Sequence, residues 1–84
     1  MYYVYVLKSK KDDSLYIGYS HDLKRRLVEH NENKNISTKH KAPFELVYHE
    51  GYKSISDAKY REHNLKGFAQ AHKALKQRIK DSLA

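Results

Sequence analysis

With 84 residues the chain is too short to support two separate cores, and a single domain over residues 1–84 is expected. The absence of cysteine excludes a disulfide framework and thiolate metal sites, leaves packing and hydrogen bonding to hold the fold, and agrees with an intracellular, cytoplasmic setting. Lys and Arg number 17 against 10 acidic residues, a formal charge of +7, which favours a polyanionic partner, nucleic acid first; the longest apolar or aromatic run, Tyr2 to Leu7, falls far below the ~20 residues that span a bilayer, so no membrane partner is expected.

Tyr2 to Leu7 (YYVYVL) and Leu15 to Tyr19 (LYIGY) are rich in β-branched and aromatic residues, and the polar stretch Ser9 to Ser14 separates them. This pattern predicts a β-hairpin. A turn centred on Lys10 and Lys11 would set Tyr5 directly opposite Tyr16, both side chains on one face. Asp22 can accept hydrogen bonds from free backbone N–H groups and start a helix running to about Asn31, with Leu23, Leu27 and His30 at helical spacing. The polar segment Asn31 to Pro43 reads as a loop whose lysines and His40 make it a candidate substrate-facing element.

Phe44 to Tyr52 (FELVYHEGY) predicts a third strand in which Phe44, Leu46 and Tyr48 share one face. Ser54 or Ser56 caps a second helix that runs to about Lys66 and stops at Gly67, the residue type suited to the left-handed conformation after a helix. Phe68, His72, Leu75 and Ile79 recur at helical spacing, so a third helix is expected to turn that stripe inward and keep Lys73, Lys76, Arg78 and Lys80 wet. The fold class is therefore α+β: a small three-stranded antiparallel sheet flanked by helices, in the order ββαβαα.

Several side chains stand out chemically. Tyr5 and Tyr16 occupy the two arms of the hairpin; on composition alone, strand tyrosines are ordinary β-formers. Arg26 and His30, four residues apart, share a helix face beside Leu23 and Leu27. A guanidinium there offers bidentate donors to phosphate, and an imidazole can bond a phenol or move a proton near neutral pH. Glu62 shares a helix face with Ala58 and Leu65, where the sequence otherwise points inward. A carboxylate so placed calls for a cation: Arg26, a lysine or a metal ion could each serve.

Taken together these residues resemble the GIY-YIG nuclease family over nearly the whole chain. Tyr3-Val4-Tyr5 stands where the family has its GIY element, Tyr16-Ile17-Gly18 is a literal YIG, and Asp22 to Leu27 (DLKRRL) is similar to the arginine-bearing helix. Glu29-His30-Asn31 follows as in small bacterial members; Arg61-Glu62 and Leu65-Lys66-Gly67-Phe68 resemble the glutamate-bearing helix and its exit. The resemblance implies a metal-dependent endonuclease that hydrolyses phosphodiester bonds with one Mg²⁺ or Mn²⁺. Tyr5 and Tyr16 would be its paired tyrosines, Arg26 its phosphate clamp, His30 its helper histidine and Glu62 its metal ligand. Small members often belong to repair or recombination systems. DNA is expected ahead of RNA and, without a separate recognition region, structure ahead of base sequence. Arg25, Lys39, Lys66 and Lys73 are the candidate backbone-phosphate contacts. Two rival readings are a non-cleaving nucleic-acid-binding module on the same fold and a basic protein-interaction domain. One departure is Tyr3, in place of the glycine of GIY, with the bulk to narrow the approach to Tyr5.

Overall fold

A computed structural model describes residues 1–32 and 40–84. Strand β1 (Tyr2–Ser9) is followed by β2 (Leu15–Ser20), helix α1 (Leu23–Asn31), strand β3 (Phe44–Tyr52), and helices α2 (Ile55–Gly67), α3 (Ala69–Arg78) and α4 (Lys80–Leu83). The strands form one antiparallel sheet in the order β2-β1-β3. The architecture is the expected α+β sheet with helices, in the order ββαβααα: the third helix breaks at Ile79, whose φ and ψ of −110° and 24° interrupt it before the short α4.

The central position of β1 explains why its sequence is apolar without a polar alternate. Val4 and Val6 pack with Ile17, Ala58, Leu65, Leu75 and Ile79 on one face. Tyr5 and Leu7 pack with Phe44, Tyr16, Leu23 and Leu27 on the other. The fully buried Val and Leu side chains among them each contribute roughly 1.5–3 kcal/mol, so the helices are fixed to opposite faces of the sheet and β2 is left as an outer strand.

The hairpin register differs from the expected one by two residues: Tyr5 pairs with Gly18, and Tyr16 pairs with Leu7. The turn decides this. Ser9 and Ser14 close it, Asp13 adopts a left-handed φ of 63°, and the Ser9 hydroxyl accepts from the N–H groups of Lys11 and Asp12. The centre therefore moves one position beyond Lys10-Lys11. Because side chains alternate with period two, a two-residue slip leaves Tyr5 and Tyr16 on the same face.

Strand β3 spans the expected residues, but Phe44, Leu46 and Tyr48 do not share a face. Leu7 pairs with Leu46 and Val6 with Tyr48, so Val47 is an extra residue, a β-bulge. Phe44 consequently joins the α1 side, while Tyr48 packs on the α2 and α3 side.

Helix α1 is capped as expected, the Asp22 carboxylate accepting from Arg25 N–H at 3.0 Å, and Ser54 rather than Ser56 caps α2. Gly67 takes no left-handed conformation: it is the last residue of α2, and the chain leaves through an extended Phe68. Phe68 is 56% exposed instead of turned inward, so the buried stripe of the C-terminal helices is Leu75 and Ile79, flanked by Ala71 and Leu83.

A cleft at the outer strand

Two side chains of α1 approach β1 from above. The Tyr5 hydroxyl and His30 Nε2 share a hydrogen bond of 3.2 Å, and both residues are buried. The His30 ring also packs against Tyr16 and Phe44, at centroid distances of 4.9 and 5.9 Å. Next along α1, Asn31 clasps the start of β3: its amide donates to the Phe44 carbonyl and accepts from the Phe44 N–H. These two bonds fix the helix axially, and with it the height of His30 and Arg26 over the sheet.

Gly18 gives Tyr5 its position from below. A methyl group built there would lie 2.6 Å from Tyr5 Cζ and closer still to the hydroxyl. The glycine does not have a positive φ; it is needed for close approach alone, since the phenol lies over its Cα.

The guanidinium of Arg26 meets Glu29 at 3.3 Å through Nη1, while its buried Nε has no hydrogen-bond partner among the described residues. Burial pushes the Tyr5 phenol above its usual pKa, and hydrogen bonding and charge from Arg26 oppose that shift. Arg26 in turn is held more firmly protonated by Tyr5 and by Glu29, against the effect of burial. Burial pushes the His30 imidazole below its usual value, the Arg26 charge adds to this, and Glu29 opposes it. The imidazole is therefore neutral near pH 7.

Glu62 reaches the same place from the opposite face of the sheet. Its carboxylate is about one-fifth exposed and pairs with Lys66 Nζ at 3.3 Å; Lys66 is also 5.5 Å from the centre of the Tyr16 ring. Of the three cations that could have answered this carboxylate, the lysine does so within the protein.

Tyr5, Tyr16, Gly18, Arg25, Arg26 and Glu62 all line one open cleft of about 340 Å³. Residues from both faces meet there because β2 is an outer strand, and α1 and α2 converge past its edge. His30 lies beneath the cleft and contacts it through Tyr5 and Tyr16. Lys66 stands next to it. Lys73 is elsewhere, on the exposed side of α3 with His72, Lys76 and Lys80; Lys39 falls outside the described residues. Tyr3 is not among the cleft's lining residues. It turns toward β3 and meets His49 edge-on at 5.7 Å, over Gly51, so its bulk does not narrow the approach to Tyr5.

His21 also lines the cleft, with Tyr2, Tyr19 and Ile55, and the sequence reading passed over them. For His21 a signal existed: it lies between the YIG strand and the Asp22 cap, where the chain crosses the cleft mouth. For Tyr19 there was none, because alternation assigns it to the face opposite Tyr5.

Among the described residues no group of three or more His, Cys, Asp and Glu could hold a metal ion. A single carboxylate in an open polar cleft fits a hard cation that keeps most of its ligands as water and substrate oxygen, and does not fit a closed protein cage.

A family model described as the GIY-YIG catalytic domain matches residues 1–77. A UPF0213 protein of Staphylococcus saprophyticus is 38% identical over 73 residues, which covers 86% of this chain and 88% of that one. One from Natronomonas pharaonis is 41% identical over 73 residues, covering 86% and 85%. The solution NMR structure of a UPF0213 protein from Bacillus halodurans superimposes with a TM-score of 0.57 at 33% identity, covering 95% of this chain and 86% of that one.

Proposed function

Since the chain belongs to the GIY-YIG catalytic-domain family, among its small UPF0213 proteins, we propose that it is a metal-dependent endonuclease acting on DNA. The observation that carries this reading is the meeting of two phenols, a guanidinium and a carboxylate in one open cleft. The carboxylate is the telling member: it would repel a phosphate backbone in a passive binding groove and has a use there only with a cation.

Glu62 would hold one Mg²⁺ or Mn²⁺. A divalent ion held there would supply positive charge to stabilise the phosphoryl transition state and the departing oxygen. Arg26 binds non-bridging oxygens; its buried Nε, without a hydrogen-bond partner among the described residues, represents a desolvated donor that costs about 1–3 kcal/mol, which a phosphate oxygen would relieve after a small shift of the guanidinium. Tyr5 takes the proton from the attacking water, and Tyr16 orients that water or a phosphate oxygen. Burial disfavours the Tyr5 phenolate, so the base needs the cationic surroundings that Arg26 provides and that the loaded cleft strengthens. His30 is a positioning residue: neutral and buried, it fixes the Tyr5 hydroxyl from the side away from substrate.

Arg25 on the cleft wall would meet the backbone beside the scissile linkage, Lys66 the phosphate near Tyr16, and Lys73 a more distant phosphate. The cleft's described lining consists of single side chains from β1, β2, α1 and α2 and the turns beside them, a small surface that supports selection of DNA by shape, such as a branch or a single-stranded end, over selection by base sequence.

The test is cleavage of duplex, single-stranded and branched DNA and RNA with Mg²⁺ or Mn²⁺, beside Glu62→Gln and Arg26→Ala. Metal-dependent cutting of DNA that falls at least ~10²-fold in each variant, with binding largely retained in Glu62→Gln, is expected. Binding without cutting under every condition would leave the non-cleaving module as the better reading.

A further inference from the structure

The ammonium of Lys66 occupies a particular place. It lies 3.3 Å from Glu62 Oε2 and 5.5 Å from the centre of the Tyr16 ring, between the carboxylate that would hold a metal and one of the two cleft tyrosines. Lysine is a compact, mobile cation on a flexible stem, and its side chain here is about half exposed whereas that of Glu62 is one-fifth exposed. The carboxylate is thus the fixed member of the pair, and the ammonium the one free to leave. Glu62 also shows no other cation among the described ion pairs: Arg26 is engaged by Glu29, and Arg61 by Glu50.

Resting on the reading of Glu62 as a metal ligand, we propose that Lys66 is an internal counter-ion of the cleft, which a divalent cation must displace from Glu62 before it can bind. One carboxylate cannot satisfy an ammonium and a divalent ion at the same position without bringing the two positive charges together. Metal binding and the Glu62–Lys66 pair are therefore antagonistic, and removing the ammonium favours the metal. Two consequences follow physically. The free protein holds metal weakly, and the displaced ammonium, still tethered to the end of α2 beside Tyr16, becomes available to the substrate phosphate. Charge on the substrate then favours the metal-loaded arrangement from both directions.

The experiment is a Mn²⁺ titration of the intact, DNA-free protein followed by electron paramagnetic resonance of free Mn²⁺, on wild type, Lys66→Met, Glu62→Gln and a Lys10→Met control. The control removes one charge from the exposed hairpin turn. Lys66→Met is expected to bind Mn²⁺ about fivefold more tightly, at the lower end of common coupling between sites because the pair is partly solvated. Lys10→Met is expected to change it less than about twofold, since surface charge acts there only at long range. In a parallel nuclear magnetic resonance titration, Mg²⁺ should move the Tyr16 ring signals of wild type and leave those of Lys66→Met nearly still. Equal or weaker Mn²⁺ binding by Lys66→Met, with site binding still dependent on Glu62, overturns the proposal. If wild type and Glu62→Gln bind alike, the metal-ligand reading itself fails.

Discussion

The phenol of Tyr5 lies over the Cα of Gly18, its cross-strand neighbour, so closely that a single methyl group on that glycine would come within 2.6 Å of Cζ. Gly18→Ala should therefore act chiefly through Tyr5, whose ring the added methyl group would displace. The ring is fully buried and bonded to His30, so it cannot simply swing aside. We expect a loss of about 1–3 kcal/mol in stability from overpacking, and on the order of 10²-fold in turnover from displacement of the hydroxyl. Thermal melting and single-turnover cleavage measure the two effects. A folded Gly18→Ala protein that cuts at the wild-type rate would show that the Tyr5 hydroxyl needs no fixed position.

Tyr5 also sets the pH dependence of cutting. Its phenol is pushed above the ordinary pKa by burial, with Arg26 opposing, so in the free protein the ionised form is scarce near pH 7 and grows about tenfold per pH unit as the pKa is approached. The single-turnover rate should climb through the alkaline range, and Tyr5→Phe should reduce the rate by about 10²–10⁴ and remove the slope. The climb has an upper bound. A raised folded pKa gives stability that is present below the unfolded value near 10 and lost as pH rises through the folded value. A profile flat from acid to alkaline pH would exclude Tyr5 as the base.

His30 imposes the opposite limit. Burial, followed by the Arg26 charge, holds its folded pKa below the ordinary value of 6.5. A depressed pKa means that stability is complete above 6.5 and is lost as pH falls toward the folded value, because only the unfolded chain takes up the proton over that interval. The slope is at most about 1.4 kcal/mol per pH unit. Melting temperatures measured from pH 7.5 to 5 should fall for wild type, and should fall less steeply for His30→Gln whatever its starting stability. Equal slopes would mean that His30 accepts its proton as readily in the folded protein as in the unfolded one.

The basic residues divide by location. Arg25 is on the cleft wall, whereas Lys73 faces solvent on α3. Lys73→Gln should weaken DNA binding and reduce the slope of log affinity against log salt by about 0.9, the value for one lost phosphate contact. Arg25→Gln should do the same and also lower turnover at saturating DNA. A salt titration of binding, paired with cleavage at saturation, separates the two. Should Lys73→Gln leave the slope unchanged, α3 lies off the substrate path.

What the sequence disclosed about this fold was its local chemistry. Asp22 and Ser54 cap the helices they were expected to cap, and the limits of β3 were legible from Phe44 and Tyr52. Register was less accessible, because it depends on a turn held by Asp13 in a left-handed conformation and by the Ser9 hydroxyl, not on strand composition. The parity of side chains survived that difference, which is why Tyr5 and Tyr16 still share a face. The bulge at Val47 changed parity within a strand, and so Tyr48 crossed to the other core. The candidate residues Tyr5, Tyr16, Arg26 and Glu62 were visible as residue types at helix and strand spacings. That Tyr19 would join them was not, because no alternation rule describes a cleft wrapped around the outer edge of β2.

The orientation of α2 depends on a polar cluster that sequence patterning did not single out. Glu50 on β3 accepts from both Arg61 Nε and Nη2, at 2.9 and 3.0 Å, and from the hydroxyls of Tyr48 and Tyr52. Burial tends to raise the Glu50 pKa, but the hydrogen bonds from Arg61 and the two tyrosines prevail and the carboxyl remains below 4.5; burial, then the hydrogen bond to Glu50 and its charge, push Tyr52 up to about 12 against the Arg61 charge. Arg61 immediately precedes Glu62 on the helix. Fixing the guanidinium against β3 on one side of α2 fixes the rotation that sends Glu62 toward β2 on the other. Glu50→Ala would leave several part-buried donors without their acceptor, a loss of about 1–3 kcal/mol, whereas Glu50→Gln retains an acceptor oxygen and should lose less. Since the Glu50 pKa is depressed, this stability is present above about 4.5 and disappears as pH falls through the folded value. Both variants should also raise the metal concentration needed for half-maximal cutting, Glu50→Ala more than Glu50→Gln, without altering DNA affinity at high metal. Melting curves together with metal titrations of cleavage decide the matter. A destabilised Glu50→Ala protein with an unchanged metal requirement would confine the cluster to holding the fold and remove it from the alignment of Glu62.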